Sequence, residues 1–170
     1  MKVETALPSQ HLANSFLKNE LAMSDLVSNR RALYDYEILE TFEAGIVLVG
    51  TEIKSLRNHG GSLQDAYVDV RKDELWLINA SIAPYSFGNI HNHEDRRERK
   101  LLMHHREIEY LRRVSQEKGL TLIPLSIYIN KKGIAKVKIA AAKGKKAYDK
   151  RAAIKKREDT RAIERATSGE

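Results

Sequence analysis

Between residues 121 and 130 almost every position is apolar: Leu122, Ile123, Leu125, Ile127, Tyr128 and Ile129, with Pro124 and Ser126 among them. A strand sends successive side chains to opposite faces, so this one must be covered on both sides. That points to a closed barrel or to a sheet overlaid by a helix. A second segment, from 34 to 49, sets Tyr36, Ile38, Phe42, Ala44, Ile46 and Leu48 against mostly polar partners. Glu40 interrupts the apolar row and Ala44-Gly45 offers a bend, so it reads as one long bent strand or a tight hairpin. Residues 66–70 and 74–78 make two more strands about a Lys72-Asp73 turn. Residues 134–142 close the series behind Lys131-Lys132-Gly133. A short helix is expected over 51–57, ended by Asn58-His59-Gly60-Gly61. A longer one follows His104, with Glu107 placed for a capping box, Ile108, Leu111 and Val114 as its inner stripe, and Gly119 as its stop. Five or six short strands with irregularly spaced helices argue against a doubly wound sheet. A small, mainly β barrel solves the edge problem best.

Charge divides the chain. Residues 1–130 hold 16 basic and 18 acidic side chains, whereas residues 131–170 hold 14 and 5. A near-neutral body thus carries a cationic C-terminal part, whose surplus sets the positive sign of the chain's net charge of +7. Such an arm suits a polyanion, since neutralising phosphates releases counterions. A membrane surface fits less well, because the tail lacks Leu, Phe and Trp. Its large apolar residues are Ile154 and Ile163, too few to dock a helix. The tail is therefore expected to be disordered when free and helical along phosphates, with Tyr148 able to stack on a base. The organisation expected is an N-terminal extension over 1–28 with one amphipathic helix (Leu12, Phe16, Leu17, Leu21), a barrel domain over 29–142, and the tail over 143–170.

Catalysis finds little footing. The chain has no cysteine, which removes disulfides, thiol chemistry and cysteine-based metal sites. It has no G-x-S-x-G elbow, and Gly144-Lys145-Lys146 lacks the frame of a phosphate-binding loop. His91, His93, His104 and His105 tempt towards a metal, but adjacent histidines diverge and His91-Asn92-His93 lies in the polar stretch 86–100. The residues read as a binding protein without cofactor or metal. An RNA hydrolase using His91, His93 and His105 is the catalytic rival. A general structured-RNA module is the binding rival.

Five ordered blocks carry a resemblance. They are Asp35-Tyr36-Glu37-Ile38 leading into Glu43-Ala44-Gly45-Ile46-Val47-Leu48, then Gly50-Thr51-Glu52-Ile53-Lys54-Ser55-Leu56-Arg57. Next come Arg99-Lys100-Leu101-Leu102 with Arg106-Glu107-Ile108, and Glu117-Lys118-Gly119-Leu120-Thr121-Leu122-Ile123-Pro124-Leu125. The last is Ala142-Lys143-Gly144-Lys145-Lys146 with Asp149-Lys150-Arg151. In this order the chain resembles the SsrA-binding protein family from about Asn29 to Ala166. The resemblance implies an OB-fold-like antiparallel β-barrel with peripheral helices. It also implies a cytoplasmic, monomeric, non-enzymatic protein that binds the tRNA-like part of transfer-messenger RNA (tmRNA). Such a protein delivers tmRNA to stalled ribosomes, with elongation factor Tu in the delivery complex. By the same resemblance Asn29, Glu52, Lys54, Arg57, Leu102 and His104 fall on the RNA-binding face, with the Glu52 carboxylate accepting from base N–H groups. Lys143, Lys145, Lys146, Tyr148, Asp149, Lys150 and Arg151 would serve the small-subunit decoding centre, the mRNA channel or the RNA.

Overall fold

The structure, a computed structural model, describes residues 25–145. The expected N-terminal helix, the disorder of the tail, and Lys146, Tyr148, Asp149, Lys150 and Arg151 lie outside the described residues. In chain order the elements are β1 (Asp25–Ser28), α1 (Ala32–Asp35), β2 (Tyr36–Ile46), α2 (Gly50–Arg57), β3 (Gly61–Ser62), β4 (Tyr67–Arg71) and β5 (Glu74–Ile78). They continue with β6 (Ser81–Ile82), a 3-10 turn (Asn89–His91), β7 (Arg99–Leu102), α3 (His105–Lys118), β8 (Thr121–Ile129) and β9 (Ala135–Gly144). Seven strands form one antiparallel sheet in the order β1-β8-β9-β2-β7-β5-β4, and β3 and β6 pair separately. The fold is thus mainly β. The sheet curls until β4 lies against β8, but its edge strands β1 and β4 do not hydrogen-bond. The barrel expected from sequence is therefore a curled sheet with an open ladder. Residues 25–28, assigned from sequence to the extension, form the edge strand beside β8. Strand β9 carries Lys143 and Gly144, assigned to the tail, as partners of Glu37 and Tyr36.

Two bulges explain the long apolar rows. In β2 the register against β9 steps from Ile38↔Ala142 to Glu40↔Ala141, leaving Leu39 as an extra residue. An extra residue reverses which face every later side chain takes. Tyr36 and Ile38 accordingly pack on a small core of Ala32, Ile123, Leu125, Ala140 and Ala142. Phe42, Ala44 and Ile46 pack on the main core with Leu56, Leu77, Ile127, Val137 and Ile139. The ladder thus breaks register at Leu39, while Ala44 and Gly45 pair in step with Val137 and Lys136. Strand β8 repeats the device: Leu125 is the extra residue between Pro124↔Ile139 and Ser126↔Lys138. Ile123 and Leu125 then face the small core, while Ile127 faces the main one. One strand serving two cores is what an apolar residue at nearly every position encodes.

Local chemistry sets the remaining elements. Lys72 and Asp73 both take positive φ, 47° and 63°, as a two-residue antiparallel turn with the right twist requires. The Asp73 carboxylate pairs with Arg112, tying that turn to α3. Helix α3 buries Ile108, Leu111 and Val114, about 1.5–3 kcal/mol each. Its first turn is held by the Glu107 carboxylate, which accepts from the His104 N–H at 3.3 Å. Gly119 ends it at φ +60°, a conformation that costs other residues about 1–2 kcal/mol.

Candidate nucleic-acid interface

Helix α2 organises the site. Its inner face buries Glu52, Ser55 and Leu56. The Glu52 carboxylate, at 0% exposure, accepts from three directions. The Val49 N–H donates to it at 2.8 Å, closing the first turn of the helix. Arg97 donates through Nη2 at 2.8 Å and Nε at 3.2 Å, and Arg99 through Nε at 2.9 Å. Arg99, also at 0% exposure, spends its other donors on carbonyls: Nη1 on Ala80 at 2.7 Å and Arg97 at 2.8 Å, Nη2 on Asp95 at 3.0 Å. Burial pushes the Glu52 carboxyl up, but the Arg97 and Val49 hydrogen bonds and the Arg99 charge outweigh it, leaving it below its ordinary value. Burial pulls the Arg99 guanidinium down, against the pull of Glu52. One buried guanidinium, one partly exposed guanidinium and one buried carboxylate thus fold residues 95–99 against α2.

The Glu52 carboxylate, expected from the resemblance on the RNA-binding face, takes its hydrogen bonds inside the protein in this structure. What it presents is Arg97, whose side chain remains partly exposed. Asn29 is likewise committed. Its Oδ1 accepts from the N–H of Ala32, the first residue of α1, at 3.1 Å. Its Nδ2 donates to the carbonyls of Leu63 at 3.1 Å and Pro124 at 3.2 Å. Asn29 braces three segments beside an open cleft of about 230 Å³ whose rim includes Arg30, Arg31 and Gln64.

The other expected residues stand outward. Lys54 and Arg57 are exposed on α2 and form no ion pair among the described residues. Leu102, 53% exposed, ends β7 opposite Gly45, with Val47 and Val49 also exposed on the connection into α2. His104 is exposed at the head of α3. Lys143 is exposed on β9. Lys145 turns back onto α1: its N–H donates to the Asp35 carbonyl and its Nζ to the Leu33 carbonyl, both at 3.0 Å. The structure therefore joins Asn29 and the tail root through α1, and joins Glu52 to the strand that carries Leu102. Among the described residues no three His, Cys, Asp or Glu gather in metal-binding geometry. His93 bonds Thr51 Oγ1 and the Ile82 carbonyl, each at 2.9 Å, pinning its loop to α2.

This arrangement has known counterparts. The family model described as "SmpB protein" matches residues 26–169. The chain belongs to the SmpB family. An SsrA-binding protein from Protochlamydia amoebophila is 66% identical over 143 residues, which are 84% of this chain and 93% of that protein. That of Chlamydia pneumoniae is 58% identical over 84% of this chain and 94% of its own. That of Fervidobacterium nodosum is 52% identical over 83% and 95%. A chain from the solved structure "tmRNA-SmpB: a journey to the center of the bacterial ribosome" is 51% identical, with a TM-score of 0.61 over 71% of this chain and 84% of that one. The SmpB match begins at β1, in agreement with that strand's place in the sheet.

Arg97, Arg99, Tyr85 and Asn92 escaped the sequence-based site. The density of charge from Arg96 to Lys100 was the available signal, but it reads as a solvated loop unless a buried carboxylate is known to face it.

Proposed function

We propose that this chain is a tmRNA-binding protein of trans-translation. It binds the tRNA-like domain of tmRNA and delivers it to stalled ribosomes for rescue and peptide tagging. The observation that carries this is membership of the SmpB family across nearly the whole chain, tail included. The geometry supports it: a neutral curled sheet presents unpaired cations from α2 and a cationic root at the end of β9. Lys54, Arg57 and Arg97 meet phosphates, and Leu102 with His104 meets the RNA surface. Glu52 and Asn29 act by positioning. Lys143, Lys145, Lys146, Tyr148, Asp149, Lys150 and Arg151 serve the vacant decoding site and mRNA channel. The protein acts in the cytoplasm as a monomer, without catalysis or cofactor, with elongation factor Tu in the delivery complex. No helix among the described residues is long and apolar enough to cross a membrane.

Truncation tests the division of labour. A chain ending at Lys145 keeps every sheet pairing described above. It should bind tmRNA nearly as the full protein does, yet fail to support tagging of a stalled peptide in a reconstituted system. Full tagging by the truncated chain would refute the role of the tail.

A further inference from the structure

Beyond α2 the chain builds a rigid loop that displays apolar side chains to solvent. Phe87 is 79% exposed and Ile90 91%, the two most exposed large apolar residues among those described. Hydrogen bonds tie the loop at several points. The Asn92 side-chain amide grips the Tyr85 backbone in both directions: Tyr85 N–H donates to its Oδ1 at 3.0 Å, and its Nδ2 donates to the Tyr85 carbonyl at 2.8 Å. The Gly88 N–H closes a turn onto the same carbonyl at 2.8 Å. A Cβ at Gly88 would stand 2.8 Å from the Asn92 amide, so the clamp requires glycine there. The loop is then fixed to α2 at two points, by His93 on Thr51 and by Ser55 Oγ donating to the Ala83 carbonyl at 2.6 Å.

Charge completes the picture. The Lys54 ammonium lies 5.6 Å from the centre of the Tyr85 ring, and that ring meets Phe87 edge-on with centroids 5.6 Å apart. Cation, ring and ring follow one another, with Arg57 on the same helix. A prebuilt aromatic face beside cations that have no carboxylate partner among the described residues matches an unpaired nucleotide: the base has a π-face and its phosphates supply the anions.

We propose that Phe87 and Ile90 form a stacking platform for one unpaired base of the tRNA-like part of tmRNA, with Lys54 and Arg57 neutralising the phosphates that flank it. This deepens the tmRNA reading and rests on it. Ordering no loop on binding, such a platform gives up little conformational freedom. The phenyl ring supplies the π-face, Ile90 covers the edge of the base, and Asn92 holds the turn that carries Phe87 without touching the RNA.

Titration of tmRNA with full-length protein at fixed salt tests it. Phe87→Ala should weaken binding about 10-fold with an unchanged melting temperature, Phe87→Leu should weaken it similarly, and Phe87→Trp should restore it. A photo-crosslinking phenylalanine analogue at position 87 should label one unpaired tmRNA nucleotide. Equal affinity of Phe87→Ala and wild type overturns the platform, as does full activity of Phe87→Leu, or a crosslink to ribosomal RNA or ribosomal protein. If wild-type protein itself fails to bind tmRNA, the functional reading falls. If wild type binds tightly and Phe87→Ala equally so, only the platform falls.

Discussion

Glu52 and Lys54 stand two residues apart on α2, one at 0% exposure and the other in solvent. On a helix that spacing turns side chains about 200° from one another, so a single short element carries an inner and an outer charge system. The inner system is balanced by geometry: one carboxylate, two guanidiniums and a set of carbonyls with their donors and acceptors matched. The outer system has only cations and aromatic faces, and its balance must come from a partner. Buried charge here makes shape, while exposed charge makes affinity. Each half of that comparison can be broken separately.

The inner system should give the largest effects. Glu52→Ala leaves Arg99 buried without its anion, a loss of about 3–5 kcal/mol of stability. Urea denaturation reads this directly. A variant that keeps wild-type stability but loses RNA affinity would place Glu52 in the outer system after all. Asn29→Ala comes next. Losing its hydrogen bonds to Ala32, Leu63 and Pro124 should remove about 1–2 kcal/mol.

Acid should then narrow the contrast between wild type and Glu52→Gln. The Glu52 carboxyl lies below its ordinary value of 4.5, so its stabilisation is fully present above that pH. It fades as pH falls through the lowered value. Glutamine does not titrate, so the stability difference between the two proteins should shrink in acid. Glu43, lowered by the Tyr128 hydrogen bond, titrates alike in both and cancels. A difference that stayed constant down to pH 3 would mean that Glu52 is not held ionised by its arginines.

The outer system should show the smallest change in stability. Lys54→Ala with Arg57→Ala should stay within about 0.5 kcal/mol of wild type, since both are exposed and form no ion pair among the described residues. Their effect belongs in RNA binding. The slope of log K against log salt should fall by about 1 for each phosphate contact removed. A loss of affinity with an unchanged slope would mean that these side chains act through shape instead.

Much of this was legible in the sequence where local chemistry decides the outcome. The Lys72-Asp73 hairpin, the inner stripe of α3 and its stop at Gly119 follow from period and turn chemistry alone. The single strand from Tyr36 to Ile46 was half legible. Its row of apolar residues was visible, but the flip at Leu39 needs a partner strand to define register. Strands β1, β3, β6 and β7 were missed because two to four residues cannot establish a period. In β7 the buried Arg99 also disguises a core position as a polar one. The same ambiguity touches the site: a glutamate in a motif of a nucleic-acid-binding family reads as a contact, and the two arginines that hold it lie more than forty residues away in sequence.

Competition binding addresses the central claim most directly. Labelled tmRNA on the full-length protein should be displaced by unlabelled tRNA-like RNA but hardly by RNA of equal length and composition with the tRNA-like structure scrambled, at one salt concentration. If the scrambled RNA competed equally well, the scaffold would be a general cation for RNA, and its specific delivery of tmRNA would be contradicted.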